Sequence, residues 1–149
     1  DKDKDNASST RTWNAEAHRS EIASFVKSLL KIADREGGIG EEVREIARHQ
    51  NDSASTSAEA IAKIEHKGKF LKFLFGSDYK NLGNLRSEIV KNQNDTLKLK
   101  NLLTKTTNAA DKAELSIQIK ALEDSRAKIA AFVKIHENSF SLFGWLFRD

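Results

Sequence analysis

The sequence has no cysteine, no proline and no methionine among its 149 residues. Without cysteine there is no disulfide framework, no thiolate metal site and no cysteine nucleophile. Without proline, which breaks helices, the chain is free to form long ones. Without methionine, residue 1 is not a natural start, and we expect a removed segment upstream of it. The apolar runs are also far shorter than the ~20 residues that a membrane-spanning helix needs.

Charged residues make up 32% of the chain and aromatic residues 7%. These proportions suit long amphipathic helices better than a β-sandwich or a barrel. Residues 1–12 alternate charged and small polar side chains that have little to bury, so we predict a disordered tail or linker there. Residues 13–149 are long enough to bury a real core and are predicted to form a single helical-bundle domain.

Apolar side chains recur at helical spacing in four segments, and each segment predicts a helix. Asn14 is a good N-cap for the first of them. Glycines at positions 37, 38 and 40 supply the break that ends it, because glycine adopts the left-handed conformation found at helix C-termini. The four helices are predicted over residues 15–35, 41–67, 79–105 and 110–137.

The second predicted helix has a weak apolar seam in its middle, where the seam positions are Gln50, Ala54 and Ser57. These side chains bury little apolar area. We therefore predict that residues 49–57 are an irregular or wet part of the bundle. Replacing Gln50 or Ser57 with alanine should then cost less than about 1 kcal/mol.

The seams of the last two predicted helices match when the chain is folded back at Ala109. Seven layers then face each other around one short polar turn, which predicts an antiparallel coiled-coil hairpin over about residues 79–105 and 111–137. The layer of Asn92 and Arg126 is polar, and we interpret it as setting the register. With the first two helices packed against this hairpin, the predicted fold is an all-α four-helix up-down bundle. The layers are Leu103–Leu115, Leu99–Ile119, Thr96–Leu122, Asn92–Arg126, Ile89–Ile129, Leu85–Val133 and Leu82–His136.

Catalytic and metal-binding patterns are missing from the sequence. The four histidines are spread along the chain, with no pair at i, i+4 and no HExxH motif. His49 has Glu45 one turn before it, a spacing that a metal could use, but we interpret His49 as a solvated or core side chain. No serine lies in a nucleophile elbow, and no glycine-rich phosphate loop follows a strand. We predict that the chain is not an enzyme and binds no metal or cofactor.

Two short segments combine aromatic and basic side chains, and the hairpin register brings them together at the end away from the turn. Such a pattern is typical of an interfacial membrane anchor, and a compact aromatic mini-core is the other interpretation. Aromatic and basic residues also suit single-stranded nucleic acid, which we disfavour because no binding motif accompanies them. The candidate interaction surface consists of Lys69, Phe70, Lys72, Phe73, Phe75, Phe143, Trp145 and Phe147.

Three stretches, Ile39–Arg44, Phe75–Gly83 and Phe140–Phe147, resemble uncharacterised exported helical proteins of uncultured small-genome bacteria. The resemblance extends over about residues 15–148. No activity or ligand is established for that group, so the resemblance implies no site residue. It implies an export signal upstream of residue 1, and hence a location outside the cytoplasm.

From these observations the sequence predicts a non-enzymatic, exported helical-bundle protein. Its role would be structural or partner-binding, at the cell envelope or outside the cell. The partner would be another protein or a second copy of the chain. The alternative is a membrane-docking or membrane-active protein that uses the aromatic and basic segments at residues 70–75 and 140–147.

Overall fold

A computed structural model of the chain describes residues 13–35, 38–66 and 79–144, with side chains for all of these except His66, Tyr79 and residues 138–144. The described residues form four α-helices and no strand. The predicted tail at residues 1–12 lies outside them. The helices are α1 (Ala15–Arg35), α2 (Gly40–His66), α3 (Tyr79–Lys105) and α4 (Ala109–Gly144).

Two asparagines cap helices in this bundle. Asn14 Oδ1 accepts a hydrogen bond from the backbone N–H of Ala17 at 2.9 Å, which confirms the N-cap predicted for α1. Asn108 Oδ1 accepts from the N–H of Asp111 at 3.1 Å and caps α4 in the same way. Each cap satisfies an N–H group that has no carbonyl partner within its own helix.

The helices form two antiparallel hairpins. α1 and α2 make hairpin A (residues 13–35 and 38–66), and α3 and α4 make hairpin B (residues 79–144). Between the hairpins, α2 packs on α3 and α1 packs on α4, so each helix lies mainly against two neighbours. This arrangement confirms the predicted all-α four-helix bundle with up-down topology.

The turn of hairpin A requires a glycine at the first residue of α2. A Cβ atom built on Gly40 would lie 2.5 Å from the carbonyl oxygen of Ala33 in α1. The backbone of α2 therefore begins in direct contact with the backbone of α1. Only a residue without a side chain fits at this approach.

Two ion pairs join α3 to α4 and indicate one antiparallel register. Lys100 Nζ lies 2.7 Å from Glu123 Oε1, and Arg86 pairs with Glu137. The two basic residues are two heptads apart on α3, and the two acidic residues are two heptads apart on α4. Both ion pairs therefore fit the same alignment of α3 with α4. The hydrogen bond from Lys100 also lowers the pKa of the Glu123 carboxyl. Each of the four residues directly follows a residue of the predicted seam.

α4 is longer than the sequence predicted. The prediction ended the helix near Glu137, but the helix continues to Gly144. The residues after Glu137 include no proline, and the first glycine among them is Gly144. A segment without a helix-breaking residue can therefore remain helical until it reaches a residue that favours a helix C-terminus.

The apolar core is divided into two clusters. The first lies near the turns of the hairpins and includes Phe25, Leu29 and Leu99. The second lies towards the other end and includes Ile61 and Leu85. Between them is a buried polar layer, which consists of His18, Gln50, Ser57, Glu88, Asn92, Asp95, Thr96 and Ser125.

Candidate functional site

Asp95 on α3 is the most buried ionisable side chain among the described residues, with 1% of its surface exposed. Gln50 Nε2 on α2 donates to Asp95 Oδ2 at 2.7 Å, and His49 Nδ1 lies 2.5 Å from the same oxygen. Lys98 Nζ lies 4.0 Å from the other oxygen. A buried carboxylate is costly unless it is hydrogen-bonded. The contacts from Gln50 and His49 give the buried Asp95 carboxyl two polar partners on α2.

Glu88 occupies an equivalent position one heptad earlier on α3. Ser53 on α2 donates to Glu88 Oε2, and Lys91 Nζ donates to Oε1 at 3.1 Å. The side chain is almost fully buried. Both buried carboxylates of α3 are therefore directed at polar side chains of α2.

Residues 49–57 were predicted to be an irregular or wet part of the bundle, and only the irregular part of this prediction is wrong. α2 is unbroken from Gly40 to His66, and Gln50 and Ser57 are both buried. The seam is polar because α3 places carboxylates opposite it, and the hydrogen bonds to Asp95 and Glu88 replace the missing apolar contacts.

A groove of about 480 Å³ opens between α2 and α3 beside Asp95. Its volume lies within the range of roughly 300–1,000 Å³ that is usual for ligand sites. Ile46 and Leu102 are buried at its base, whereas Glu42 and Glu45 are exposed on the α2 wall. We call it the α2–α3 groove, and its lining is Glu42, Glu45, Ile46, His49, Asp95, Lys98, Asn101 and Leu102.

The charges of the α2–α3 groove are unequally matched. Lys98 lies beside Asp95, and its positive charge offsets that carboxylate. Glu42 and Glu45 have no ion pair with any residue that the structure describes. The lining therefore carries an excess of negative charge on its α2 wall.

A second cavity lies inside the polar layer and is close to the size of one water molecule, at about 10 Å³. His18 on α1 lines it and is 2% exposed. His18 Nδ1 has no hydrogen-bond partner among the described residues. Burial lowers the pKa of His18 from its ordinary value, and the charge of Glu21 partly opposes this effect. The other lining residues are Gln50, Ser53, Ala54, Ser57, Glu88, Asn92 and Ile129.

Aromatic rings gather at the end of the bundle away from the hairpin turns. The ring centroid of Trp13 lies 5.9 Å from that of Phe132 and 6.0 Å from that of His18. Phe132 in turn lies 4.1 Å from His136. The sequence pattern does not predict this cluster, because its members come from α4, from α1 and from the residues just before α1.

The predicted interaction surface falls outside the side chains that the structure describes. Residues 69–75, Trp145 and Phe147 lie beyond the described ranges, and Phe143 lies in α4 where side chains are not described. Of the predicted polar layer, Asn92 is buried and Arg126 half-buried. The pairing of Asn92 with Arg126 stays a prediction.

The buried carboxylates of α3 were not predicted from the sequence either. The signal was a second heptad stripe beside the predicted seam. All four of its members are buried on the side of α3 that faces α2, and polar residues fill three of the positions. The stripe consists of Asn81, Glu88, Asp95 and Leu102.

Within residues 13–35, 38–66 and 79–144, no three His, Asp or Glu side chains come together as a cation site. In the same ranges, no helix combines the length and the apolar character needed to cross a membrane. Comparison of the chain with protein-family models, curated proteins and solved structures gives no match.

Proposed function

We propose that this chain is a non-enzymatic binding protein that acts outside the cytoplasm or at the cell envelope, and that its partner occupies the α2–α3 groove. The observation that carries the proposal is the groove itself, which has a buried apolar base and charged walls. Its lining contains no serine, threonine or cysteine. The His49–Asp95 pair consequently has no hydroxyl or thiol nucleophile beside it in the groove, which supports binding over catalysis.

The charges of the groove favour a protein partner with basic side chains. Glu42 and Glu45 stand on one wall without an ion-pair partner among the described residues, while Lys98 is already placed beside Asp95. A lysine or arginine side chain that enters the groove would meet these two carboxylates. Its aliphatic part would cover Ile46 and Leu102.

We expect a lysine-rich peptide to bind the protein and the double replacement Glu42→Gln, Glu45→Gln to weaken this binding roughly five-fold. Two exposed charge pairs contribute about 1 kcal/mol together, which corresponds to that factor. Fluorescence anisotropy of the labelled peptide measures the affinity. The effect should fade at high salt, because exposed charges are screened.

Glu16 and Glu65 provide the matched control, because both are exposed glutamates that do not line the groove. The double replacement Glu16→Gln, Glu65→Gln changes the net charge by the same amount and should leave the affinity unchanged. Equal weakening by both pairs of replacements, or equal binding of a glutamate-rich peptide, would show that the groove is not the site.

We further propose that α3 and α4 pack as an antiparallel coiled coil in the register given by the sequence. The support is the pair of inter-helix ion pairs, Lys100–Glu123 and Arg86–Glu137, which lie where flanking residues face each other in such a coil. In this register Asn92 shares a layer with Arg126. A polar layer of this kind fixes the register at some cost in stability.

Membrane docking is the second candidate function, and the aromatic cluster at one end of the bundle favours it. Trp13 and Phe132 lie at the end where α2 stops at His66 and α3 starts at Tyr79. α4 continues to Gly144 at the same end. The aromatic and basic segments of the sequence are thus attached to an end of the bundle that is already aromatic, as an interfacial anchor requires.

If this end docks on membranes, the fluorescence of Trp145 should shift to the blue when anionic liposomes are added. Trp13→Phe leaves Trp145 as the single tryptophan, since the chain has two. Lys69→Glu with Lys72→Glu should weaken the shift, as should added salt. Lys27→Glu with Lys31→Glu, on the exposed face of α1, is the control. A spectrum that liposomes leave unchanged would exclude docking through Trp145, and a molecular mass that falls on dilution would indicate self-association instead.

A further inference from the structure

The buried carboxylates of this bundle all accept hydrogen bonds across the interface between the two hairpins. Asp95, Glu88 and Asp111 are the three buried acidic side chains of the described residues, and all belong to hairpin B. Their donors in hairpin A are His49, Gln50, Ser53 and Arg35. For these three buried carboxylates hairpin A supplies the donors, whereas at the surface Lys128 of hairpin B donates to Glu21 of hairpin A.

The contacts within each hairpin are of a different kind. In hairpin B, the ion pairs Arg86–Glu137 and Lys100–Glu123 involve exposed or half-buried side chains that lie outside the core. In hairpin A, Arg44 reaches Asp34 at the surface. Separating the hairpins would therefore leave these pairs intact, while it would hydrate every buried carboxylate.

The polar atoms at the hairpin interface are incompletely satisfied. His18 Nδ1 on α1 and Ser125 Oγ on α4 are buried, and neither has a hydrogen-bond partner among the described residues. Buried polar atoms are normally paired, and those that are not destabilise the structure around them. Both unpaired atoms belong to the polar layer, so their destabilising effect is concentrated between the two apolar clusters.

His18 has ionisable neighbours on both hairpins. On its own helix α1, Glu21 raises and Arg19 lowers its pKa, and from α4 Lys128 lowers it. From α3, Glu88 lines the cavity beside it, and α2 contributes only the neutral Gln50, Ser53, Ala54 and Ser57. Burial opposes a positive charge on His18 most strongly, Glu21 favours that charge, and Arg19 and Lys128 oppose it.

We propose that the two hairpins are the moving units of this fold, and that they separate as intact bodies when His18 takes up a proton in the polar layer. In the closed bundle the imidazolium would lie buried beside the small cavity, without enough water to solvate it. In the open form it is hydrated. The open form also exposes the apolar faces of both hairpins. These faces are distinct from the α2–α3 groove, and their exposure does not depend on a partner bound in that groove.

The direction of the pH dependence follows from the lowered pKa of His18. At a pH above 6.5 the imidazole is neutral in both the closed and the open form, so it does not disturb the closed bundle. As the pH falls below 6.5, the hydrated His18 of the open form binds a proton first. Acidification below this value therefore favours separation.

Distances between spin labels on introduced cysteines test the proposal, since the native chain has no cysteine to interfere. Ser55→Cys with Ser87→Cys places exposed labels on α2 and α3, one in each hairpin. Ser87→Cys with Lys134→Cys places both labels in hairpin B. We expect pulsed electron paramagnetic resonance to show a longer distance for the first pair below pH 6.5 and an unchanged distance for the second.

His18→Gln removes the titrating group and should abolish the lengthening. His49→Gln is the matched control, because His49 also lies at the hairpin interface, and this variant should retain the response. The proposal is overturned if both label pairs broaden together, since this means global unfolding. It is also overturned if neither pair responds, or if His49→Gln rather than His18→Gln abolishes the change.

Discussion

Replacing Leu99 with alanine is expected to lower the free energy of unfolding by about 2–5 kcal/mol. Leu99 is fully buried in the first apolar cluster, together with Leu102 of α3 and Leu115 and Leu122 of α4. The side chain is lost from a position where both helices of hairpin B meet hairpin A. The cavity that remains could close only if whole helices moved, so little of the cost would be recovered.

Leu97 provides an internal control two residues earlier on the same helix. Its side chain is 57% exposed, so Leu97→Ala removes no core contact. We expect this variant to stay within about 0.5 kcal/mol of the parent, because surface replacements away from special features are usually neutral. Chemical denaturation followed by circular dichroism compares the two variants. Similar losses for both would mean that Leu99 does not lie in the core.

The helices were predictable because their signals are local. α1 and α3 begin and end at the residues that the pattern predicts. For α1, a capping asparagine and an apolar stripe lie within the same stretch of chain. The bundle followed from the matched seams of α3 and α4, whose hydrophobic spacing is visible without knowledge of the other two helices. Capping residues and apolar spacing are visible within each segment, so they predict a helix without knowledge of its tertiary contacts.

The candidate site was less predictable, because each of its side chains has a partner on another helix. Gln50 looks like a defect in the α2 seam until Asp95 is placed opposite it. Glu88 looks like a solvated residue until Ser53 is found beside it. A periodic pattern shows which face of a helix is buried, but not which polar groups on two faces will meet. The α2–α3 groove depends on the same pairing and could not be foreseen from either helix alone.

Replacing Gln50 with alanine is expected to lower the free energy of unfolding by about 1.5–3 kcal/mol. The sequence predicted less than about 1 kcal/mol for both Gln50 and Ser57, on the assumption that a polar seam is poorly filled. The structure changes the expectation for Gln50, whose amide donates to the buried Asp95 carboxylate at 2.7 Å. Without that donor, the carboxylate keeps the contact with His49 but loses a charge-assisted hydrogen bond inside the bundle.

A double-mutant cycle with Asp95→Ala separates the hydrogen bond from the packing of the Gln50 side chain. Once the carboxylate is absent, Gln50→Ala should cost at least about 1 kcal/mol less than in the parent, because the two residues are in direct contact. Ser57→Ala is the matched replacement in the same helix, since Ser57 is also buried in the polar layer but is not bonded to Asp95. It should cost less than about 1 kcal/mol in both backgrounds. Additive losses of unfolding free energy for Gln50→Ala and Asp95→Ala would mean that Asp95 is held by His49 and Lys98 alone. Equal losses for Gln50→Ala and Ser57→Ala would mean that the α2 seam is as weak as its sequence suggests.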